Sequence, residues 1–162
     1  MAGFGSDRLT RARARGGEAA IALSLAALLA GCLWAAAAVA AAPCDTPASI
    51  GLTPGLSAGE VRGGIARGEL ACFTIAGRLG QHMSVSQPDP GDSNIVMQIY
   101  RPPWAIKHTE DGVRVRGQAL PGVKEGDDAK GWGGTLPATG NYLLVLGTSW
   151  GGGEYHVQIK LY

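Results

Sequence analysis

Residues 147–151 read GTSWG, which fits the G-x-S-x-G pattern around a nucleophilic serine. In enzymes with this motif the serine stands on a sharp turn between a strand and a helix, and an acid and then a histidine follow downstream. Here an apolar run precedes Ser149, but glycines and a second strand pattern follow it. Only Glu154 and His156 remain downstream, within a few residues of the serine. We therefore predict that the motif is structural and that the protein is not an enzyme.

Residues 136–140 read LPATG and match the L-P-x-T-G signal that sortases cleave to attach proteins to a bacterial wall. Such a signal also needs a membrane-length apolar segment behind it and a basic tail. The apolar run after Gly140 is only YLLVLG, which is too short to span a bilayer, and a charged amphipathic run follows it. Because proline fixes φ and glycine accepts positive φ, Pro137 and Gly140 suit a tight turn. We predict a hairpin corner between two strands.

The residues that could bind a metal ion are scattered. The three histidines are far apart and show no H-x-x-H spacing. Asp89, Asp92 and Asn94 could hold calcium, as could the pair Asp127 and Asp128, but the spacing is not that of an EF-hand loop. Aspartate and asparagine are also ordinary turn residues, and we favour that interpretation. We predict no metal site and no cofactor.

Three tryptophans are the residues best suited to contact a ligand. Trp104, Trp132 and Trp150 stand in stretches rich in glycine or proline, where their rings could stack on sugars or anchor a protein partner. The alternative is that the rings close the ends of the fold as core, which we favour for Trp132. Asp127 and Asp128 could pair with a cationic partner, although exposed ion pairs are individually weak. These five residues form the predicted partner-binding set. We expect their loops, residues 102–104, 124–132 and 148–154, at one end of the molecule.

Short runs of alternating apolar residues predict an all-β fold. The last run, EYHVQIKLY, directs Tyr155, Val157, Ile159 and Leu161 to one face. HMSVS, NIVMQIY and CFTIA alternate in the same way, while NYLLVLG is apolar on both faces, as is typical of a central strand. Glycine and proline interrupt the chain too often for long helices. The pattern predicts a single antiparallel, jelly-roll-like β-sandwich.

Two stretches are less regular. Residues 59–69, GEVRGGIARGE, are predicted as a weak edge strand, because glycine and arginine blunt pairing with another chain. The polar stretch 102–130 contains Asp111-Gly112, a hairpin turn signal, and is predicted as a flexible insertion.

The first 42 residues have the organisation of an export signal. Four arginines precede an uncharged apolar run over residues 21–42. A-x-A sites for a signal peptidase end at Ala40 and Ala42; alternatively, LAGC matches a lipobox in which Cys32 would be lipidated, or the run is retained as a membrane anchor. All three options place the rest of the chain outside the cytoplasm. We predict a periplasmic or secreted protein, with a membrane-anchored lipoprotein as the alternative. We expect residues 43–58 to form an N-terminal arm and residues 59–162 the sandwich domain.

The charge of the exported part gives no sign of a nucleic-acid partner. Residues 1–42 contain four of the 14 basic residues and two of the 13 acidic residues. Ten basic and eleven acidic residues remain, a net charge of −1. Such a balance does not steer the protein to a highly charged partner.

Cys44 and Cys72 remain after either cleavage and predict one disulfide in an oxidising compartment. Two unrelated thiols are the alternative. If Phe73 faces the core, its neighbour Cys72 faces outward, so the bridge would strap the N-terminal arm across the outside of the sheet. In the chain-entropy account it would contribute roughly 3–4 kcal/mol.

Four stretches together resemble a known family: CFTIAGRLGQHMSVSQ, SNIVMQIYRPPW, WGGTLPATGNYLLVLGT and GGGEYHVQIKLY. They are similar to the bacterial pre-peptidase C-terminal-like domains, which are secreted jelly-roll β-sandwiches. The periplasmic inhibitors of g-type lysozyme are similar in length and architecture. The resemblance covers about residues 60–162. The positions that carry it are mostly turns and core: Gly80-Gln81, Tyr100, Pro102, Leu136-Pro137, Gly140, Tyr142 and Tyr155.

The resemblance implies an exported envelope protein that occludes a partner with its loops, with g-type lysozyme as the specific candidate partner. In the lysozyme inhibitors the loop before the last strand is longer and basic. Here GTSWGGGE is short and nearly uncharged, a departure that either speaks against lysozyme inhibition or moves it to other loops. A non-catalytic module that binds cell-wall glycan or another surface is the alternative, on the evidence of the three tryptophans.

Overall fold

The computed structural model describes residues 43–52, 57–88, 94–110 and 112–162. These residues form nine β-strands in two sheets, and none of them belongs to a helix that could cross a membrane. The strands are β1 (Ala48–Ser49), β2 (Ala58–Ile65), β3 (Ala71–Gly77), β4 (His82–Ser86), β5 (Ile95–Thr109), β6 (Gly112–Ala119), β7 (Gly131–Thr135), β8 (Gly140–Thr148) and β9 (Gly153–Leu161). The export signal, its cleavage sites and Cys32 lie outside the described residues.

The two sheets form the predicted all-β sandwich. One sheet has five strands in the order β1-β3-β8-β5-β6, and the other has four in the order β2-β9-β4-β7. All pairs are antiparallel except β1 with β3, which is parallel. β8 is the central strand of the larger sheet and β2 an edge strand of the smaller one, so both of these predictions are confirmed.

The chain changes sheets at almost every connection. Only β5 and β6 are joined as a hairpin within one sheet. Every other connection between consecutive strands crosses from one sheet to the other, so most loops are arches that close the ends or sides of the sandwich.

The main core lies between the sheets and follows the period-2 pattern of the sequence. β9 buries Tyr155, Val157, Ile159 and Leu161, as predicted. Phe73 of β3 packs edge to face on Tyr155, with ring centroids 6.0 Å apart. The alternation therefore fixes which face of each strand meets the opposite sheet.

LPATG is a corner between the sheets and not a hairpin, which corrects the prediction. β7 belongs to the four-stranded sheet and β8 to the five-stranded one. The Tyr142 hydroxyl donates to the carbonyl of Ala138 at 2.7 Å and accepts from its N–H at 3.1 Å. Gly140 has a φ of 147° and leaves no room for a side chain, because an added Cβ would lie 2.9 Å from the Pro102 ring. Hydrogen bonds from the Tyr142 side chain to Ala138 thus hold this turn. The sequence pattern predicted its position correctly but not the type of connection.

The stretch after Pro102 is an ordered hairpin, contrary to the predicted flexible insertion. β5 continues to Thr109 and pairs with β6 beyond an irregularity between Arg101 and Ala105. Trp104, Ile106, Val113 and Val115 form one half-buried face, and the polar residues between them point away. We call the paired segments 104–110 and 112–116 the hairpin arm.

The hairpin arm covers the outer face of the five-stranded sheet and the disulfide beneath it. Cys44 and Cys72 are bonded, with an S–S distance of 2.00 Å, which confirms the predicted bridge. Both cysteines are buried in a second apolar cluster with Leu143 and Val145. The apolar face of the arm packs on this cluster. The bridge therefore straps the N-terminal segment to the outside of β3, as expected, but under a layer that the sequence analysis did not foresee.

Candidate functional site

Trp150 is the most exposed tryptophan and stands at one end of the sandwich. It follows β8, in the connection to β9, and is 72% exposed. We call this end, where β8 finishes, the Trp150 end. No described residue of the chain covers this large apolar ring.

The turn that carries Trp150 is held by the buried Asn94. The Asn94 side chain donates to the carbonyl oxygens of Trp150, at 2.5 Å, and Gly152, at 2.8 Å. Its backbone carbonyl accepts from the Ser149 N–H at 2.8 Å. The Thr148 hydroxyl donates to the Gly151 carbonyl at 2.8 Å and closes the turn from inside. The backbone around Trp150 is therefore fixed by contacts that leave the ring free.

The Ser149 hydroxyl belongs to this brace and not to a catalytic group. It donates to the Asn94 carbonyl at 3.2 Å. His156, the only histidine downstream, lies on β9 and contacts Glu60 of β2, with Nε2 and Oε1 3.0 Å apart. The serine and the histidine are thus engaged elsewhere, as expected for a structural GTSWG.

The described residues include only some of the candidate metal ligands. Among the described residues, no three of His, Cys, Asp and Glu are grouped to hold an ion. Asp89 and Asp92 lie outside the described residues. Asn94, the third residue of that group, uses its amide nitrogen to brace the Trp150 turn.

Asp127 and Asp128 lie on a segment that runs beside β5. The Ala129 carbonyl accepts from the Met97 N–H at 2.9 Å, and the Lys130 ammonium donates to the Ile95 carbonyl at 2.5 Å. The Asp127 carboxylate caps its own turn by accepting from the Lys124 N–H at 3.0 Å. Both aspartates are exposed. Since Ile95 pairs with Thr148, this segment approaches the Trp150 end.

Trp132 is part of the packing, which agrees with the preferred prediction. It is half-buried on β7 and packs against the main core. Its indole N–H donates to the Pro121 carbonyl at 3.0 Å. The ring thus ties β7 to the segment that closes this side of the sandwich.

Trp104 is on the hairpin arm and far from Trp150. Its indole N–H donates to the Asn141 carbonyl at 2.7 Å, at the start of β8. Trp150 follows the last residue of the same strand. At about 3.3 Å per residue, β8 separates the two positions by roughly 25 Å. The three predicted loops therefore do not share one end.

Among the described residues, two further large apolar side chains are exposed, at the opposite end of the sandwich. Leu79 is 68% exposed on the turn between β3 and β4, and Tyr162 is 73% exposed. The Leu79 N–H donates to the Thr139 hydroxyl at 2.9 Å, and the Gly80 N–H donates to the Leu136 carbonyl at 3.0 Å. We call this the Leu79 end. A cleft of about 540 Å³ beside it is lined mainly by turn residues.

Three titratable groups among the described residues have shifted pKa values: Glu60, Tyr100 and Tyr155. The Arg62 guanidinium beside Glu60 holds the pKa of that carboxyl below its ordinary value of 4.5. Burial and the nearby Glu125 carboxylate raise the pKa of Tyr100 above 10.0. Burial alone raises the pKa of Tyr155 above 10.0.

Two of the solved structures similar to this chain are lysozyme inhibitors. The PliG of Aeromonas hydrophila, a periplasmic lysozyme inhibitor of g-type lysozyme, has a TM-score of 0.53 and 19% identity, covering 72% of this chain and 96% of that chain. A mutant of the Escherichia coli PliG has a TM-score of 0.51 and 16% identity, covering 72% and 97%. This chain shares their fold. No model of a known protein family and no curated protein sequence matches it.

Fold similarity at this identity supports the architecture of the lysozyme inhibitors and assigns no site. The relationship to the pre-peptidase C-terminal-like domains stays a prediction, as do the contact roles of the tryptophans and aspartates. The brace by Asn94 was missed as a contact, because Asn94 and Trp150 are 56 residues apart and only the fold brings them together.

Proposed function

We propose that the protein is an exported, non-catalytic binding protein of the cell envelope that occludes a protein partner with the Trp150 end, and that a g-type lysozyme is this partner. The observation that carries the proposal is the exposed Trp150 ring on a turn whose backbone is fixed from below by Asn94. The fold shared with two periplasmic inhibitors of g-type lysozyme supports the choice of partner and of compartment.

The physical argument is preorganisation. A binding loop that is ordered before the partner arrives loses little conformational entropy on binding. Tryptophan is among the residues that most often dominate the binding energy of interfaces, because it buries a large rigid surface. At Trp150 both conditions hold, since the ring is exposed and its backbone is braced.

Asp127 and Asp128 would add a polar rim on the same side of the molecule. Their carboxylates are exposed, and their segment approaches the Trp150 end beside Ile95. A cationic enzyme surface would meet them at the edge of the contact. Rim charges mainly raise the rate of association, so these residues contribute less to the lifetime of the complex than Trp150 does.

A glycan-binding module is the second candidate, and the same observation favours it. An exposed indole ring can stack on a sugar face as well as fill a protein pocket. The two functions differ in their partner and share their anchor. The experiment therefore offers both partners to the same variants.

Trp150→Ala is expected to weaken binding at least tenfold while leaving the melting temperature unchanged. Truncating an aromatic anchor costs about 2 kcal/mol or more of binding, whereas an exposed ring contributes little to stability. The affinity for g-type lysozyme and its residual activity are measured with wild type and variant, in parallel with cosedimentation on peptidoglycan.

Leu79→Ala is the matched control, because Leu79 is an equally exposed apolar side chain at the other end. It should bind as wild type does. If Leu79→Ala loses binding and Trp150→Ala does not, the Leu79 end is the binding surface. If the wild type fails to inhibit lysozyme at micromolar concentration but binds peptidoglycan through Trp150, the glycan function replaces the inhibitor function.

A further inference from the structure

The free edge of β2 has properties that the proposed function does not use. β2 spans eight residues and pairs with β9 on one side only among the described strands. Its outward side chains Glu60 and Arg62 are 42% and 62% exposed. A strand of this length with one free edge can extend the sheet by pairing with another strand.

The backbone groups at this edge alternate in a defined way. The Leu161 N–H donates to the Ser57 carbonyl at 2.7 Å, and Ala58 is paired with Lys160. In an antiparallel ladder the bonded positions alternate, so 57, 59, 61, 63 and 65 bond to β9. The N–H and C=O groups of Ala58, Glu60, Arg62 and Gly64 consequently point to the free edge.

The charges on these positions are self-complementary in one antiparallel register. When two copies of β2 meet about a two-fold axis at Val61, Glu60 lies opposite Arg62 of the partner subunit, and Ala58 lies opposite Gly64 of the partner subunit. Every such pair joins two residues whose backbone groups face the free edge. Four pairs with two bonds each give about eight hydrogen bonds. Opposite charges directly across a ladder stabilise it, and like charges destabilise it.

The other described edge strands do not have this property. β6 carries Arg114 and Arg116 on its exposed face, so two copies of β6 would place arginine against arginine. β7 has five residues, three of them glycine, and Trp132 ties it to the neighbouring segment. β1 has only two residues. The same charges that protect β2 from pairing with an arbitrary strand therefore favour one partner, a second β2.

We propose that the chain forms a two-fold homodimer through antiparallel β2–β2 pairing centred on Val61, which joins the two four-stranded sheets into one of eight strands. Such an interface is isologous, since the same surface is used by both subunits. The Trp150 turn meets β2 at Ile65, where Gly152 lies close to the Ile65 carbonyl, at the end of the strand and away from the centre of the interface at Val61. The contact is small, so the dimer should be reversible, with a Kd in the micromolar range.

The test is sedimentation equilibrium of the protein as recovered from expressing cells, over micromolar to millimolar concentration. Wild type should follow a monomer–dimer equilibrium. Glu60→Arg and Arg62→Glu should each raise the dimer Kd roughly tenfold or more, because each variant places like charges opposite each other twice. The double variant Glu60→Arg/Arg62→Glu restores both pairs with their signs exchanged and should return the Kd to within about threefold of wild type.

Glu154→Arg is the matched control, because it makes the same charge change on the same face but one strand inward. It should leave the Kd unchanged. A wild type that stays monomeric at every concentration overturns the proposal. A dimer that both single variants and the double variant weaken alike also overturns it, because the register at Val61 would then be wrong. Thermal melts of all variants establish that each is folded.

Discussion

Two buried tyrosines of this protein differ in one respect, the partner of the hydroxyl group. The Tyr142 hydroxyl makes two hydrogen bonds to the backbone of Ala138. The Tyr155 hydroxyl is buried and has no partner among the described residues; it lies over Gly63, where an added Cβ would be 2.5 Å away. A satisfied hydroxyl stabilises the fold, whereas a buried and unsatisfied one costs roughly 1–3 kcal/mol.

We therefore expect opposite effects from the same substitution at these two positions. Tyr142→Phe should lower the free energy of unfolding by about 1–2 kcal/mol, because two backbone groups at the corner lose their partner. Tyr155→Phe should leave it unchanged or raise it by about 1 kcal/mol. Urea unfolding of both variants with unchanged m-values measures the difference. Equal losses for both variants would mean that the Tyr155 hydroxyl has a hydrogen-bond partner in solution.

Burial adds a pH dependence to Tyr155. Its pKa is raised above 10.0 because burial disfavours the phenolate. Above pH 10 the folded protein keeps a phenol proton that the unfolded chain releases. The contribution of Tyr155 to the free energy of unfolding is therefore complete below pH 10 and is lost as the pH rises through the folded pKa. Tyr155→Phe should therefore lose less stability than wild type between neutral and strongly alkaline pH.

At the scale of single residues, the sequence predicted side-chain direction better than side-chain partners. Alternation identified the inward positions of β9 and the outward position of Cys72. It did not predict the brace from Asn94 to the Trp150 turn or the bonds of Trp104 and Trp132, since each joins residues distant in sequence. Alternation is a local property, while these bonds depend on how the sheets are connected.

At the scale of elements, the corner between β7 and β8 depends on a glycine. Gly140 combines a φ of 147° with close approach to the Pro102 ring. Gly140→Val should therefore lower stability by roughly 2 kcal/mol or more, since both backbone strain and steric overlap oppose it. Gly133→Val on β7 is the control, because nothing lies within 4 Å of its added Cβ and valine suits a strand. Melting temperatures that fall equally would show that Gly140 is not specially constrained.

The hairpin arm should protect the disulfide from reduction. Cys44 and Cys72 are buried beneath Ile106 and Val115. Without denaturant, a reductant should leave both sulfurs bonded in wild type, whereas Val115→Asp should expose them, because a carboxylate is unfavourable against the apolar cluster. Intact mass after alkylation counts the free thiols. Arg116→Asp, on the opposite face of β6, should behave as wild type; equal reduction of both variants would mean that the arm is not the barrier.

The arm also marks the limit of prediction for elements. Trp104, Ile106, Val113 and Val115 alternate as a strand should, yet prolines and many charges around them led to the expectation of a flexible insertion. The half-buried face of the arm covers only a small apolar cluster, and that cluster lies on the outside of the five-stranded sheet. An outer layer of this kind leaves a weaker hydrophobic pattern than a core strand does.

At the scale of the whole molecule, the order of strands decides which loops meet. The sequence predicted a sandwich, and the structure has one, but the candidate loops were expected at one end. β8 runs from one end of the sandwich to the other, so Trp104, which bonds to the start of β8, and Trp150, which follows its end, are far apart. Trp150 and the segment of Asp127 approach the same end of the sandwich. Trp104 lies on the outer face of the five-stranded sheet, near the opposite end. Composition cannot predict this arrangement, since it follows from topology alone.

The start of the described fold bears on the predicted processing of the N-terminal segment. Pro43 forms a bridge with Ala71, and Cys44 carries the disulfide, so residues from 43 onward belong to the sandwich. A cut after Ala40 or Ala42 removes none of these contacts. Lipidation at Cys32 would instead leave residues 33–42 between the lipidated cysteine and the first strand contact at Pro43.

We therefore predict a mature N terminus at Ala41 or Pro43, because signal peptidase cleaves after A-x-A and both sites lie immediately before the fold. N-terminal sequencing and intact mass of the exported protein measure it directly. Cys32→Ser serves as the matched variant: with signal peptidase cleavage it should change neither the mass nor the compartment of the mature protein, since Cys32 is removed. Incorporation of labelled palmitate that disappears in Cys32→Ser would instead establish the lipoprotein, with the sandwich held at the membrane by a tether that ends at Pro43.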